Sequence, residues 1–220
     1  MMRNTTHIAQ LGVRRTSPAL TMAAMLAVSV FLVNTPARAS LPMVGEDFHL
    51  RFGVGVVGGG GTVDGEHESI SFSGPGVLDG VQIGGRIADR FFLFFEADSL
   101  ILFAKSKFEG VGQDTRDVTA YGFLAGVGLG YMIESKDIYL SAAFGPSLGR
   151  VEIDDDCPRF NKKDAGLGFA MMAGREWSVA GGWNAGVAGQ LLYLASGLEA
   201  GGFQSHTLAL GLLMTASFSI

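Results

Sequence analysis

The sequence predicts an all-β fold: an eight-stranded antiparallel up-and-down transmembrane β-barrel, preceded by a cleaved signal peptide. Three observations predict it. Eight segments alternate apolar residues with small or polar ones, the period-two pattern of a strand with two unlike faces. The connections between them run alternately long and short, as in a barrel with short periplasmic turns and long extracellular loops. A secretory leader precedes the first segment.

The leader carries Arg3, Arg14 and Arg15, an apolar run over residues 19–33, and the small-residue site Ala37-Arg38-Ala39. Cleavage is expected between Ala39 and Ser40, which makes 1–39 the signal peptide and 40–220 the barrel domain. The chain has 220 residues, 48% hydrophobic and 17% charged. No segment after the leader holds the uninterrupted apolar run that a spanning helix requires. A net charge of −5 argues against nucleic acid as a partner. The single cysteine, Cys157, lies far from the new N-terminus and has no partner for a disulfide, so it reads as a loop residue.

The strands follow in order. In 48–57, Phe48, Leu50, Phe52, Val54 and Val56 share one face, and His49, Arg51, Gly53 and Gly55 the other. In 77–87, Val81, Ile83 and Ile87 oppose Gln82, Gly84 and Arg86. The third, 91–103, opens with five apolar residues, and Glu96 and Asp98 set its parity. A charge facing lipid is costly, so both acids face the lumen with Phe92 and Phe94. The fourth, 118–133, places Tyr121, Phe123, Val127, Leu129 and Tyr131 outside against a run of inward glycines. The fifth, 138–151, contains Pro146, which cannot donate to a ladder and predicts an interruption there. The sixth, 166–179, shows Leu167, Phe169, Met171 and Trp177 to lipid; the seventh, 183–194, shows Trp183, Val187, Leu191 and Tyr193. In the last, every even position from Leu208 to Phe218 is apolar, so Leu210 faces lipid and Gly211 the lumen. The long connections are expected over 58–76, 104–116, 154–165 and 195–203, and the short ones over 88–90, 134–137 and 180–182.

Two groups of side chains emerge. The inward charged set is Arg51, Arg86, Glu96, Asp98 and Glu176, with the polar residues His49, Gln82, Asn184 and Gln190. Buried charges persist only when paired and hydrogen-bonded, so Arg51 and Arg86 are expected to pair with the three acids across a narrow interior. Tyr131, Trp177, Trp183 and Phe218 fall at periplasmic strand ends, where an interfacial aromatic girdle belongs.

Other motifs carry less. Gly53-x-Gly55-x-x-Gly58 matches a dinucleotide fingerprint literally, but the glycine-rich stretch that follows is no helix start. Asp154-Asp155-Asp156 lacks the spacing of a calcium loop. His67-Glu68-Ser69, and His206 beside Ser205 with Glu199 nearby, have the residue types of a hydrolase but no scaffold placing them together. No cofactor and no metal is expected.

The alternating strands and the loop rhythm over 40–220 resemble the small eight-stranded outer-membrane barrels of the outer-membrane protein A, X and W type. The stretch from Gly174-Arg175-Glu176-Trp177 to Gly182-Trp183 resembles a pattern in other proteobacterial barrels. The resemblance implies a bacterial outer-membrane location, contact with outer-membrane lipids and lipopolysaccharide, and recognition by the barrel-assembly machinery during biogenesis. It also implies a monomer. Members often end in an aromatic residue; here Phe218 is followed by Ser219 and Ile220. The leading expectation is a non-catalytic barrel with a structural, surface-interaction or narrow-pore role. The alternatives are a hydrophobic-solute transport barrel of the protein W type and a lipid A-modifying enzyme.

Overall fold

The computed structural model describes residues 48–65, 69–108, 115–133, 137–153, 163–197 and 204–219. The leader, Cys157, the three aspartates at 154–156, His67, Glu68, Glu199 and Ile220 lie outside the described residues. Eight strands form: β1 (Phe48–Asp64), β2 (Ser69–Ala88), β3 (Phe91–Phe108), β4 (Thr115–Ile133), β5 (Ile138–Ile153), β6 (Lys163–Ala180), β7 (Trp183–Ser196) and β8 (Gln204–Ser219). Each pairs antiparallel with the next, and β1 pairs with β8, so the sheet closes into a barrel. Closure leaves no edge strand with unpaired backbone groups, the condition for β-structure in a bilayer.

The strands are tilted, as closure demands. One rung traced from Phe48 passes through Gly85, Leu93, Leu129, Ala142, Met171, Leu191 and Leu210. It returns to β1 at Gly58, ten residues further along. A stagger of that size in eight strands corresponds to a tilt of roughly 40°, within the usual range for barrels of this class.

The alternation sorts side chains to two environments. On β8, Leu208, Leu210, Leu212 and Met214 are exposed, while Ala209, Leu213, Thr215 and Ser217 are buried. On β3, Phe95 is outward and exposed, and Phe94, Glu96 and Asp98 are buried. Exposed large apolar side chains occur on all eight strands. That much bare apolar surface suits hydrocarbon and not water. The turn between β6 and β7 shows how the short end is made. Gly181 and Gly182 have φ of 59° and 83°, the two positive values that a two-residue hairpin turn requires.

The strands are longer than their hydrophobic alternation indicates. Residues 58–64 and 69–76, expected in a loop, continue β1 and β2 as a paired hairpin, from Gly58↔Pro75 to Asp64↔Ser69. Glycine has low strand propensity and leaves no alternating pattern, which is why the run reads as loop. Its inward anchors are Val63, Ile70 and Phe72, all buried. At Gly61 a Cβ would press against the backbone of His206 and the Phe72 ring, so the close approach needs glycine. The other long connections shorten in the same way, because β3 reaches Phe108, β6 starts at Lys163 and β7 reaches Ser196.

The prolines break ladders where their missing N–H predicts. Pairing of β4 with β5 skips Ala125 and Gly126 opposite Pro146 and Gly145, although β5 stays paired with β6 through Pro146↔Leu167. Pro75 does the same between β2 and β3, where pairing skips from Ser73↔Lys105 to Gly76↔Leu102.

Candidate functional site

The inner face carries two tiers. Toward the short-turn end, the periplasmic end in barrels of this class, lies a buried polar cluster. Toward the long-loop end the interior is apolar.

Arg51 of β1 anchors the polar tier. Its Nε donates to Glu176 Oε1 of β6 at 2.8 Å, and its Nη2 reaches Oε2 at 3.4 Å. Nη1 donates to Gln82 Oε1 of β2 at 2.8 Å. The guanidinium carbon lies 3.5 Å from the centre of the Tyr139 ring of β5, a cation–π contact strengthened by burial. Glu176 also accepts from Ser217 at 2.8 Å and Thr215 at 3.5 Å, both on β8. Gln82 passes the network on, donating Nε2 to Glu96 Oε1 at 2.9 Å and approaching Ser141 Oγ at 3.4 Å. The ion pair is thus bidentate and surrounded by further donors, which is how a desolvated pair becomes tolerable.

The remaining sequence-predicted residues sort as follows. His49 is buried, with its ring 5.3 Å from Phe92. Asn184 donates to Ser217 at 3.3 Å. Gln190 of β7 donates Nε2 to Asp98 Oδ2 of β3 at 3.1 Å, spanning the barrel one step above the cluster. Arg86 is a correction: it is exposed at the rim, not in the lumen. Ladder register shifts between Arg86 and Ala88 at the β2–β3 turn, and the guanidinium turns to the Asp89 carbonyl at 3.5 Å and the Phe92 ring at 5.5 Å. Among the described residues, Glu96 and Asp98 are each reached through a glutamine, Gln82 and Gln190, and form no ion pair with an arginine.

Sequence reasoning missed Tyr139, Ser141, Thr215 and Ser217. Their inward parity was legible, since all four sit at odd positions of β5 or β8. Which of the many inward hydroxyls meets an acid depends on register between distant strands, which alternation does not carry.

The lumenal glycines are the counterpart of the large polar side chains. Tyr139 packs over Gly174, where a Cβ would lie 2.5 Å from its hydroxyl, and Phe94 packs over Gly128. At Gly186 a Cβ would lie 2.7 Å from Glu176 Cγ and 2.8 Å from Thr215 Oγ1, and closer still to the Arg175 carbonyl. Gly186→Ala is therefore expected to destabilise the barrel by about 1–3 kcal/mol through overpacking. Equal urea midpoints for the two proteins would contradict this packing.

The aromatics at the short-turn end pair on the outside. Trp183 and Phe218 have ring centres 5.1 Å apart, Phe91 and Tyr131 5.0 Å, and Arg175 lies 5.5 Å from the Trp177 ring. At the other end His206 Nδ1 and the Tyr193 hydroxyl are 2.9 Å apart, while Ser205 pairs with Ser196. Ser205 and His206 are consecutive strand residues on opposite faces, so they form no nucleophile–base pair.

The apolar tier fills the rest of the bore. Leu78, Leu100, Leu124 and Leu192 come from four strands, and none is more than 1% exposed. Leu194 of β7 crosses to the β4 wall and packs on Gly122.

Solved structures of similar fold were found at low identity. Neisserial surface protein A matches at 14% identity and a TM-score of 0.41, over 79% of this chain and 97% of that one. The outer membrane protein OprG from Pseudomonas aeruginosa matches at 9% and 0.49, over 80% and 97%. The outer membrane protease OmpT from Escherichia coli matches at 9% and 0.47, over 83% and 99%. The chain has the outer-membrane β-barrel fold. Closure, tilt and the bare apolar exterior place it in the bacterial outer membrane. Likeness at these levels extends to the fold alone. No protein-family model matches the chain, and no curated protein sequence matches it.

Proposed function

We propose that this protein is a sealed outer-membrane barrel, non-catalytic, with a structural or surface-interaction role exerted through its long-loop end. The observation that supports this reading is the filled bore. Side chains bridge opposite walls in both tiers: Arg51 to Glu176 and Asp98 to Gln190 in one, Leu194 to Gly122 in the other. An eight-stranded barrel is narrow enough for side chains to fill it, and an apolar layer adds a dehydrated barrier to ions. The exterior then provides the contact with outer-membrane lipids, and the strand ends beyond the apolar belt present charged residues such as Lys105, Lys107, Arg150 and Glu152 at the cell surface.

Planar-bilayer recording at neutral pH tests the reading. The expected result is no stable conductance steps after insertion of refolded protein. Reproducible steps of constant size would show an open lumen and replace the sealed barrel with a pore.

A further inference from the structure

One stretch of the outer wall lacks the bulk of the rest. On β1 and β2, Gly58 pairs with Pro75 and Gly60 with Ser73. Gly58 and Pro75 are exposed on the outer face, and a Cβ added at Gly58 would meet nothing within 4 Å. The strands on either side are bulky at this depth. Leu208 of β8 lies opposite Gly60, and Phe103 of β3 lies beyond β2; they are 49% and 50% exposed. The backbone of β1 and β2 thus floors a shallow trough between two apolar walls. Toward the short-turn end it runs onto the paired Val56 and Val77.

Toward the long-loop end the same face turns polar. Ser73 and Ser71 of β2 lie opposite Lys105 and Lys107 of β3. Both lysines are exposed, and they follow Phe103 on the outward side of the strand. On β4, Thr115 lies opposite Lys107 and Asp117 opposite Lys105. Asp117 offsets part of the charge at Lys105, whereas the ladder neighbours of Lys107 are both hydroxyl residues. Arg150 of β5, by contrast, is held by Glu152 at 2.6 Å. Two ammonium groups on one face, with serines beside them, therefore cap the trough where the apolar belt ends.

We propose that this face binds one phosphorylated glycolipid of the outer leaflet, with a phosphate at Lys105, Lys107, Ser71 and Ser73 and an acyl chain laid along the Gly58–Pro75 trough. Ammonium and hydroxyl groups donate hydrogen bonds, and a phosphate accepts them. The depth matches, since the long-loop end is the outer one and the patch begins at the edge of the belt. Lysine suits that boundary, because its stem tolerates apolar surroundings while the ammonium stays among headgroups. The serines add donors and acceptors for sugar hydroxyls. A wall without side chains lets an acyl chain lie against the backbone along its length, and many small dispersion contacts add up there. The inference goes beyond the sealed-lumen reading and holds whether or not the bore conducts.

The test uses refolded protein in phosphatidylcholine vesicles containing graded lipid A, with retained lipid counted by native mass spectrometry. The native protein should retain one lipid A. The double variant Lys105→Gln with Lys107→Gln should bind it at least tenfold more weakly. Gly58→Leu should weaken it several-fold with no change of charge, because the leucine fills the trough; the open space at Gly58 lets that variant fold, which heat-modifiable migration checks. Arg150→Gln should retain lipid A as the native protein does. Equal retention by the double lysine variant, or equal binding of dephosphorylated lipid A, overturns the proposal. Retention of phosphatidylglycerol as strong as that of lipid A overturns the glycolipid as occupant, and displacement of lipid A by equimolar inorganic phosphate overturns the trough. Lysine-dependent binding of a sulfated polysaccharide, with lipid A retention unaltered by the lysine changes, would make the patch a contact for foreign glycans instead.

Discussion

Leu210→Arg is expected to abolish or severely reduce assembly of the barrel, whereas Leu210→Ala assembles nearly as the native protein does. Leu210 is 63% exposed on the outer face of β8, between Gly58 of β1 and Leu191 of β7. Its exposed partners along the strand, Leu208, Leu212 and Met214, are all apolar, so its surroundings in the bilayer are hydrocarbon. An arginine there costs about 2–4 kcal/mol near the midplane. The alanine removes contact with lipid but introduces no charge. Heat-modifiable gel migration reads the outcome, because a closed barrel resists detergent until boiled. Recovery of a heat-modifiable arginine variant in native yield would show that this face does not meet lipid.

The next residue shows where parity stops being informative. Gly211 faces the lumen, as its odd position in β8 indicates. Parity alone would make Gly211→Ser harmless. Yet a Cβ at Gly211 meets the Val57 side chain and lies 2.7 Å from the Val56 carbonyl. Direction is a local property, fixed by alternation within one strand. Room is a property of three neighbouring strands in register, and no single segment encodes it. The same division runs through the molecule. The strand count, the topology and the inward set were legible because each rests on period two and on turn chemistry. The pairing of Arg51 with Glu176 was only half legible. Both were expected inside, but Glu96 and Asp98 were equal candidates, and the choice depends on which strands approach across a closed ring. The extension of β1 and β2 through the glycine run was not legible, since paired glycines leave no alternating signal. Arg86 was misplaced for a related reason. Its parity is inward, but it stands two residues from the end of β2, where the side chain reaches the rim.

The pairing actually formed makes a second large effect specific. Glu176→Ala is expected to lower stability by about 3–5 kcal/mol, because it leaves the Arg51 guanidinium buried without its counter-charge. Arg51 and Glu176 are only 5% and 6% exposed, so water cannot take the place of the carboxylate without opening the cluster. The alanine also strands the hydroxyls of Ser217 and Thr215, which Glu176 accepts. Glu96→Ala should cost less, since it removes the acceptor of a neutral amide and leaves the ion pair intact. The double variant Arg51→Leu with Glu176→Leu removes both charges and replaces them with apolar bulk. It should recover much of what the single change loses, as replacement of buried pairs by packed hydrophobic residues often does. Urea unfolding of the three variants in lipid vesicles orders them. Glu96→Ala falling below Glu176→Ala would mean that Glu96, through Gln82, and not Glu176, provides the main compensation for Arg51.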